Sequence, residues 1–222
     1  MILDDHVQGL LERYVKPDSI VSFGTGPLNE IFLTKLALYI STNNLNVKFV
    51  PTSYKLAELC SKLNVPTVSL NDYEIDLAFD FVDQCDGDFN YISNETTSLV
   101  RDKMIAQEAA EFIIVCEEKN FVKQLKFDIL LETSNFAINK TLLRAMNLGD
   151  AKLELKDNGE PMISETGNKF IRVKIDEIYP LEEIEFQAKN IPGVLETSLF
   201  IGFADRMLLY GDNLIMKSRL NQ

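Results

Sequence analysis

The stretch IDLAFDFVDQCDGDFNYISNETTSLVRDK, residues 75–103, decides the fold. Its first eight residues form an apolar run of strand length. Asp80 and Asp83 stand at the C-terminal end of that run, and a polar loop follows. From Thr97 or Ser98, either of which suits an N-cap, the residues SLVRDKMIAQEAAEF predict a helix. Asp102 then falls in the first turns of that helix, where the dipole favours a carboxylate. A strand, an acidic loop and a helix in this order are how an α/β enzyme carries its chemistry, beyond the C-terminal ends of its strands. The stretch has no histidine, one cysteine and few glycines.

Upstream, SIVSFG (19–24) reads as a buried strand closed by a glycine turn, and LNEIFLTKLALYIST has apolar residues at helical spacing. NVKFVPTS, PTVSL and, downstream, IIVCEE read as strands, and YKLAELCSKLN reads as a helix. Such alternation implies βαβ crossovers and a parallel sheet. Near residue 127 the texture changes. KFDILLE, AKLELKDNGEP, KFIRVKIDEI and ETSLFIGF read as strands, NFAINKTLLRAMN and LEEIEFQAKNI as helices, and Asn158-Gly159 as a turn. RMLLYGD returns to the first sheet. The expectation is a Rossmann-like α/β fold, a parallel sheet with helices on both faces, from 1–126 and 201–222. A smaller α+β (ferredoxin-like) domain, 127–200, is inserted in it.

The chain has 222 residues, is 46% hydrophobic and 25% charged, and carries a formal charge of −12. That field repels nucleic acid, and a phosphate ester needs local donors to overcome it. No apolar run approaches the roughly 20 residues of a membrane span. The acidic N-terminus is neither a signal nor a transit peptide. Three widely spaced cysteines (Cys60, Cys85 and Cys116) read as reduced thiols of a cytoplasmic protein. One histidine and no CxxC argue against a metal site.

The candidate chemistry sits in two places. FGTGPLNE (23–30) is a glycine turn between strand and helix. It either aims backbone N–H groups and a helix N-terminus at an anion or merely makes a tight connection. Asp80 and Asp83, three residues apart at a strand end, either converge as an acid/base pair with one raised pKa or begin an acidic surface loop that Asp86 and Asp88 continue.

The order of these motifs resembles the type A ribose-5-phosphate isomerases. YVKPDSIVSFGTG is similar to the family's opening, which ends in Gly-Thr-Gly-Ser-Thr, and FVPTS to its Val-Pro-Thr-Ser. DFVDQ occupies the place of Asp-Gly-Ala-Asp-Glu. ISNETTSLVRDK occupies that of the Lys-Gly-Gly-Gly-Ala loop and Arg-Glu-Lys helix. KFDILLE, DNG, PGVLETSLF and YGD match later landmarks in order. The resemblance implies interconversion of ribose 5-phosphate and ribulose 5-phosphate through an enediolate, without metal or cofactor. It assigns catalysis to Asp80, Asp83 and Asp102. Asp102 stands where the family has its proton-moving glutamate and reaches one methylene less. Substrate binding falls to Thr25, Gly26, Ser93, Asn94, Thr96, Thr97 and Lys119.

The departures are Ser93 for the loop lysine, Asn94, Glu95 and Thr96 for three glycines, and Pro27-Leu28 for Ser-Thr. Each removes a donor or close backbone approach from an anion site. The resemblance therefore implies a weakened isomerase. The alternative is a non-catalytic paralogue that binds a sugar phosphate or other metabolite, or supports a protein partner. The implied partners are a small sugar phosphate and a second copy, as homodimer or homotetramer, with no nucleic acid or membrane.

Overall fold

The structure, a computed structural model, describes residues 2–126, 128–176 and 180–219. Phe127, residues 177 and 178 of the expected strand KFIRVKIDEI, and the chain ends at 1 and 220–222 lie outside the described residues.

From the N-terminus, α1 (Ile2–Tyr14) leads to β1 (Ile20–Phe23), α2 (Pro27–Asn43), β2 (Lys48–Val50), α3 (Tyr54–Leu63) and β3 (Ile75–Phe81). Two short strands, β4 (Gln84–Asp86) and β5 (Tyr91–Ile92), precede α4 (Leu99–Glu108) and β6 (Ala109–Glu117). A 3-10 turn, Glu118–Asn120, joins β6 to β7 (Phe121–Val122). Then come β8 (Ile129–Thr133), α5 (Ile138–Ala145), β9 (Asp150–Leu153), β10 (Lys169–Lys174), α6 (Leu181–Lys189) and β11 (Val194–Thr197). The strands β12 (Leu199–Phe200), β13 (Arg206–Tyr210) and β14 (Leu214–Ser218) follow.

The main sheet runs β14-β13-β6-β3-β1-β2. Every neighbouring pair is parallel except the β13–β14 hairpin, so RMLLYGD does return to this sheet and adds an antiparallel edge. Alternation along β3 divides the core. Phe79 and Phe81 face α1, α2 and α3 in one cluster, while Ala78 and Val82 face Ile105 and Ala106 of α4 in another. Phe32 of α2 packs 4.9 Å from the Phe23 ring and 5.1 Å from Phe79, edge to face with the latter. Each such buried ring contributes roughly 1.5–3 kcal/mol. The apolar positions that spell strand and helix in the sequence thus put helices on both faces.

A second sheet, β11-β8-β10-β9, is antiparallel. It buries Leu131 and Ile171 with Ala145 of α5 and with Ile184 and Ala188 of α6. A third, small sheet, β12-β5-β4-β7, lies outside the expected pattern. ETSLFIGF reads as one strand but divides at Ser198 between the second and third sheets. The cause is local: the Ser198 N–H donates to the Leu130 carbonyl and its hydroxyl accepts from the Leu130 N–H, both at 2.8 Å. Its carbonyl turns instead to the Ser93 N–H at 3.1 Å. PTVSL also differs, making a single bridge, Phe49 to Thr67. Pro66 at its start has no N–H to extend a ladder.

Helix α4 is pinned to α6 and β11 by one buried cation. The Lys103 ammonium lies 3.0 Å from Glu185, 2.7 Å from Glu196 and 5.0 Å from the centre of the Phe200 ring. Removing it leaves Glu196 to Lys189 and the Thr197 N–H, and Glu185 to the Thr197 hydroxyl, and takes the shared cation out of a poorly solvated place. Lys103→Ala should therefore lower the unfolding free energy in urea by about 3 kcal/mol. A loss within the few tenths typical of a surface substitution contradicts this picture of the pin.

Candidate active site

The glycine turn after β1 is shaped by two close approaches. A Cβ on Gly24 would sit 2.0 Å from Oδ1 of Asp80, so only a bare backbone lets that carboxylate lie across the turn. Gly26 has φ of +116°, and a Cβ there would meet the Glu95 carbonyl oxygen at 2.6 Å. Gly26 is thus where the 93–98 loop rests on the turn.

Asp80, at the end of β3, is 2% exposed. Its Oδ1 accepts from Asn29 Nδ2 at 3.0 Å, and Asn29 also donates to the Thr25 carbonyl at 2.8 Å. Oδ2 has no hydrogen-bond partner among the described residues, and the Ser93 side chain is near enough to the carboxyl to favour its charged form. Burial, and then the nearby charge of Asp102, push Asp80 well above the ordinary carboxylate range, against the stabilising polar groups of Asn29 and Ser93.

Asp102 is 4% exposed on the first turn of α4, whose N-cap is Ser98. Its Oδ2 accepts from the Thr96 hydroxyl at 2.5 Å and lies 2.8 Å from the Thr25 hydroxyl. Thr25 also lies 2.7 Å from Thr96 Oγ1 and, with one proton, donates to one oxygen at a time. Backbone N–H groups complete the cluster: Thr97 donates to Thr25 Oγ1 at 3.1 Å and Ser98 to Thr96 Oγ1 at 2.9 Å. Oδ1 of Asp102 is buried with no partner among the described residues. Burial pushes this carboxyl up to about 7; the Thr96 and Thr25 hydroxyls pull it down, and the charge of Glu132 adds to the rise.

Asp83 sits just past β3, partly buried, and accepts from the Asn94 N–H at 2.5 Å. Burial raises its pKa, opposed by that bond. Asn94 Nδ2 donates to the Asp128 carbonyl at 2.7 Å, which ties the loop to the entry of β8. Lys119 follows the C-terminal end of β6, the same edge of the sheet. It is 70% exposed and pairs with Glu117 at 2.8 Å. Among the described residues no bond joins it to the cluster of Asp80, Asp102, Thr25 and Thr96.

Several residues here carry no obvious mark in the sequence. Asn29 stands four residues after Thr25, in the first turn of α2, where its amide folds back over the glycine turn. Glu165 ties the loop to two other elements. Its N–H donates to the Thr97 carbonyl at 2.9 Å, and its carboxylate accepts from the Thr97 hydroxyl at 3.2 Å and from the Tyr54 N–H at 2.9 Å. Glu132 is fully buried in β8, holds the Val100 N–H at 3.3 Å and accepts from Asn168 at 2.9 Å. A charge inside the apolar run ILLET was the available signal for it.

The fold and this cluster define an α/β protein with paired buried carboxylates at the C-terminal edge of a parallel sheet. Residues 48–213 match the pattern of the family described as ribose 5-phosphate isomerase A (phosphoriboisomerase A). The ribose-5-phosphate isomerase A of Gloeothece citriformis is 33% identical over 229 aligned residues, covering 100% of this chain and 96% of that protein. The solved structure of ribose 5-phosphate isomerase A from Methanocaldococcus jannaschii is 27% identical, covers 96% of both chains and superposes with a TM-score of 0.89. A D-ribose-5-phosphate isomerase solved in complex with phospho-erythronic acid is 25% identical, covers 98% of both chains and has a TM-score of 0.91. The chain belongs to the ribose 5-phosphate isomerase A family.

The raised proton affinity of Asp102 has a measurable consequence for stability. Between the ordinary carboxylate pKa of about 4 and about 7, the native state keeps a proton that the unfolded chain has released, so stability falls as pH rises through that window. Asp102→Asn removes the part of this dependence that Asp102 contributes. The variant should be more stable than the parent at about pH 8, by up to a few kcal/mol, with the gap closing toward about pH 4. Denaturation curves at the two pH values check it; a gap that does not change with pH contradicts it.

Proposed function

We propose that the chain interconverts ribose 5-phosphate and ribulose 5-phosphate, with Asp102 moving the proton between C1 and C2 through an enediolate. The observation that carries the reading is the state of Asp102: buried, titrating near neutrality, one oxygen held by two hydroxyls and the other without a partner. A base with its pKa near the working pH balances the correct protonation state against driving force. Asp80 takes the complementary role, since burial and the charge of Asp102 favour its protonated form. Asp80, with Asp83 behind it, would serve as the acid for ring opening and for the sugar oxygens. Anchoring the phosphate falls to the first-turn N–H groups of α2, which have no intrahelical acceptor, together with Thr25, Gly26, Thr97 and Lys119. The phospho-erythronic acid complex of the solved relative supports a phosphorylated sugar chain as the ligand class.

Both unpartnered carboxylate oxygens are shielded from solvent, so the loop of Asn94, Glu95, Thr96 and Thr97 must swing off the glycine turn to admit the sugar. A merely binding paralogue would bear the desolvation of two carboxylates with nothing to offset it, which speaks against that alternative. Ser93, Glu95 and Pro27 instead bear on rate: a neutral hydroxyl stands where an ammonium would stabilise the oxyanion. Three unpaired, buried cysteines support a cytoplasmic setting. Exposed Leu38, Phe136 and Leu143 support a homo-oligomer, dimer or tetramer.

Purified protein should isomerise ribose 5-phosphate with kcat below the median enzyme value of about 10 s⁻¹. Asp102→Asn should lower kcat by roughly 10²- to 10⁴-fold. No turnover by the parent, or an unaffected Asp102→Asn, refutes the assignment. Thr96→Val deletes a hydrogen bond that holds the Asp102 pKa down. The acid limb of its kcat/KM profile should therefore move to higher pH; an unmoved or lowered limb overturns the role given to Thr96.

A further inference from the structure

Tyr91 is fully buried in β5, and its hydroxyl has no hydrogen-bond partner among the described residues. An orphaned buried phenol is costly and uncommon, because the hydroxyl is desolvated with nothing in return. Its placement suggests what it waits for. Tyr91 packs in the cluster that holds Ala78 and Val82, the residues on either side of Asp80 along the same face of β3. The same cluster holds Ile105 and Ala106, one helical turn beyond Asp102 on α4. The Tyr91 ring stacks on Phe200 at 4.5 Å, and the far partner of Phe200 is Lys103, the residue next to Asp102. Two residues on from Tyr91 is Ser93, beside Asp80. Burial and then the charges of Asp80 and Asp102 hold the phenol protonated, so it can only donate toward an anion. Asp80 Oδ2, Asp102 Oδ1 and Tyr91 Oη are thus all buried without a partner among the described residues, as are Asn29 Oδ1 and Asn94 Oδ1, and the charges of both aspartates reach the phenol.

We propose that Tyr91 is a catalytic residue whose hydroxyl donates a hydrogen bond to the enediolate oxyanion, the duty that Ser93 is too short to perform. The inference rests on the isomerase reading above and adds a residue to it. No bond is made or broken at Tyr91. Its proton stays on the phenol while negative charge gathers on the sugar oxygen opposite.

The test compares the parent with Tyr91→Phe, which keeps the ring stack and deletes one atom. Expected are a kcat lowered about 10- to 100-fold with KM changed less than about threefold, and weaker binding of phospho-erythronic acid by calorimetry. The thermal midpoint should stay unchanged or rise, because an unsatisfied hydroxyl is removed. A purely structural tyrosine predicts the reverse, a lowered midpoint with kcat retained, and that result overturns the proposal. So does a parent that turns over ribose 5-phosphate alongside a Tyr91→Phe within twofold of it. A parent that neither turns over ribose 5-phosphate nor binds phospho-erythronic acid sinks the isomerase reading itself.

Discussion

Two carboxylates held out of water at the edge of one sheet are the constraint on which this structure depends. Asp80 and Asp102 are each almost wholly buried, and each raises the cost of charging the other. A globular protein keeps such a pair only where neutral donors or a shared proton offset the desolvation. Here Asn29 holds one oxygen of Asp80, and the Thr25 and Thr96 hydroxyls hold one oxygen of Asp102. The remaining oxygens are left for chemistry.

The surroundings follow from holding that pair. Gly24 has no side chain because Asp80 occupies the space. Gly26 has none because the loop carrying Thr96 lies against it. Helix α4 must end its approach at one depth, and four separate acids fix it there. Glu132 takes the Val100 N–H, Glu196 and Glu185 take the Lys103 ammonium, and Glu165 takes the Thr97 N-terminal loop through its backbone and carboxylate. All but the loop residues of this frame come from the antiparallel layer, so that layer acts as the backing that sets where Asp102 stands. A strongly acidic chain can build this frame because every one of these carboxylates meets a donor, with Lys103 shared between Glu185 and Glu196.

The parallel sheet was legible in the sequence because its signals are local: apolar runs of strand length, helical spacing between them, and a glycine turn after the first strand. Asp80 at a strand end and Asp102 on a helix start were visible for the same reason, as was the resemblance that links them. Four things were not. The division of ETSLFIGF depends on Ser198 bonding to Leu130, a residue 68 positions away. The failure of PTVSL to pair fully depends on its place at the sheet edge beside a proline. The isolation of the Tyr91 hydroxyl and the capture of Val100 by Glu132 are tertiary facts, since a tyrosine or a glutamate in an apolar run does not declare its partners. Lys119, placed by resemblance, illustrates the converse: a matching position says nothing of its ion pair with Glu117.

The central claim is that burial holds Asp80 and Asp102 above the ordinary carboxylate range, so that carboxyl protons persist to neutral pH. Infrared difference spectroscopy on protein with isotopically labelled aspartate, titrated across the neutral range, reads this directly, with Asp80→Asn and Asp102→Asn to assign the bands. The account predicts a protonated carboxyl band that persists to about pH 7, well above the ordinary carboxylate value of about 4, and loses in each variant the part the replaced aspartate contributes. Loss of all protonated carboxyl signal below about pH 5 would contradict it.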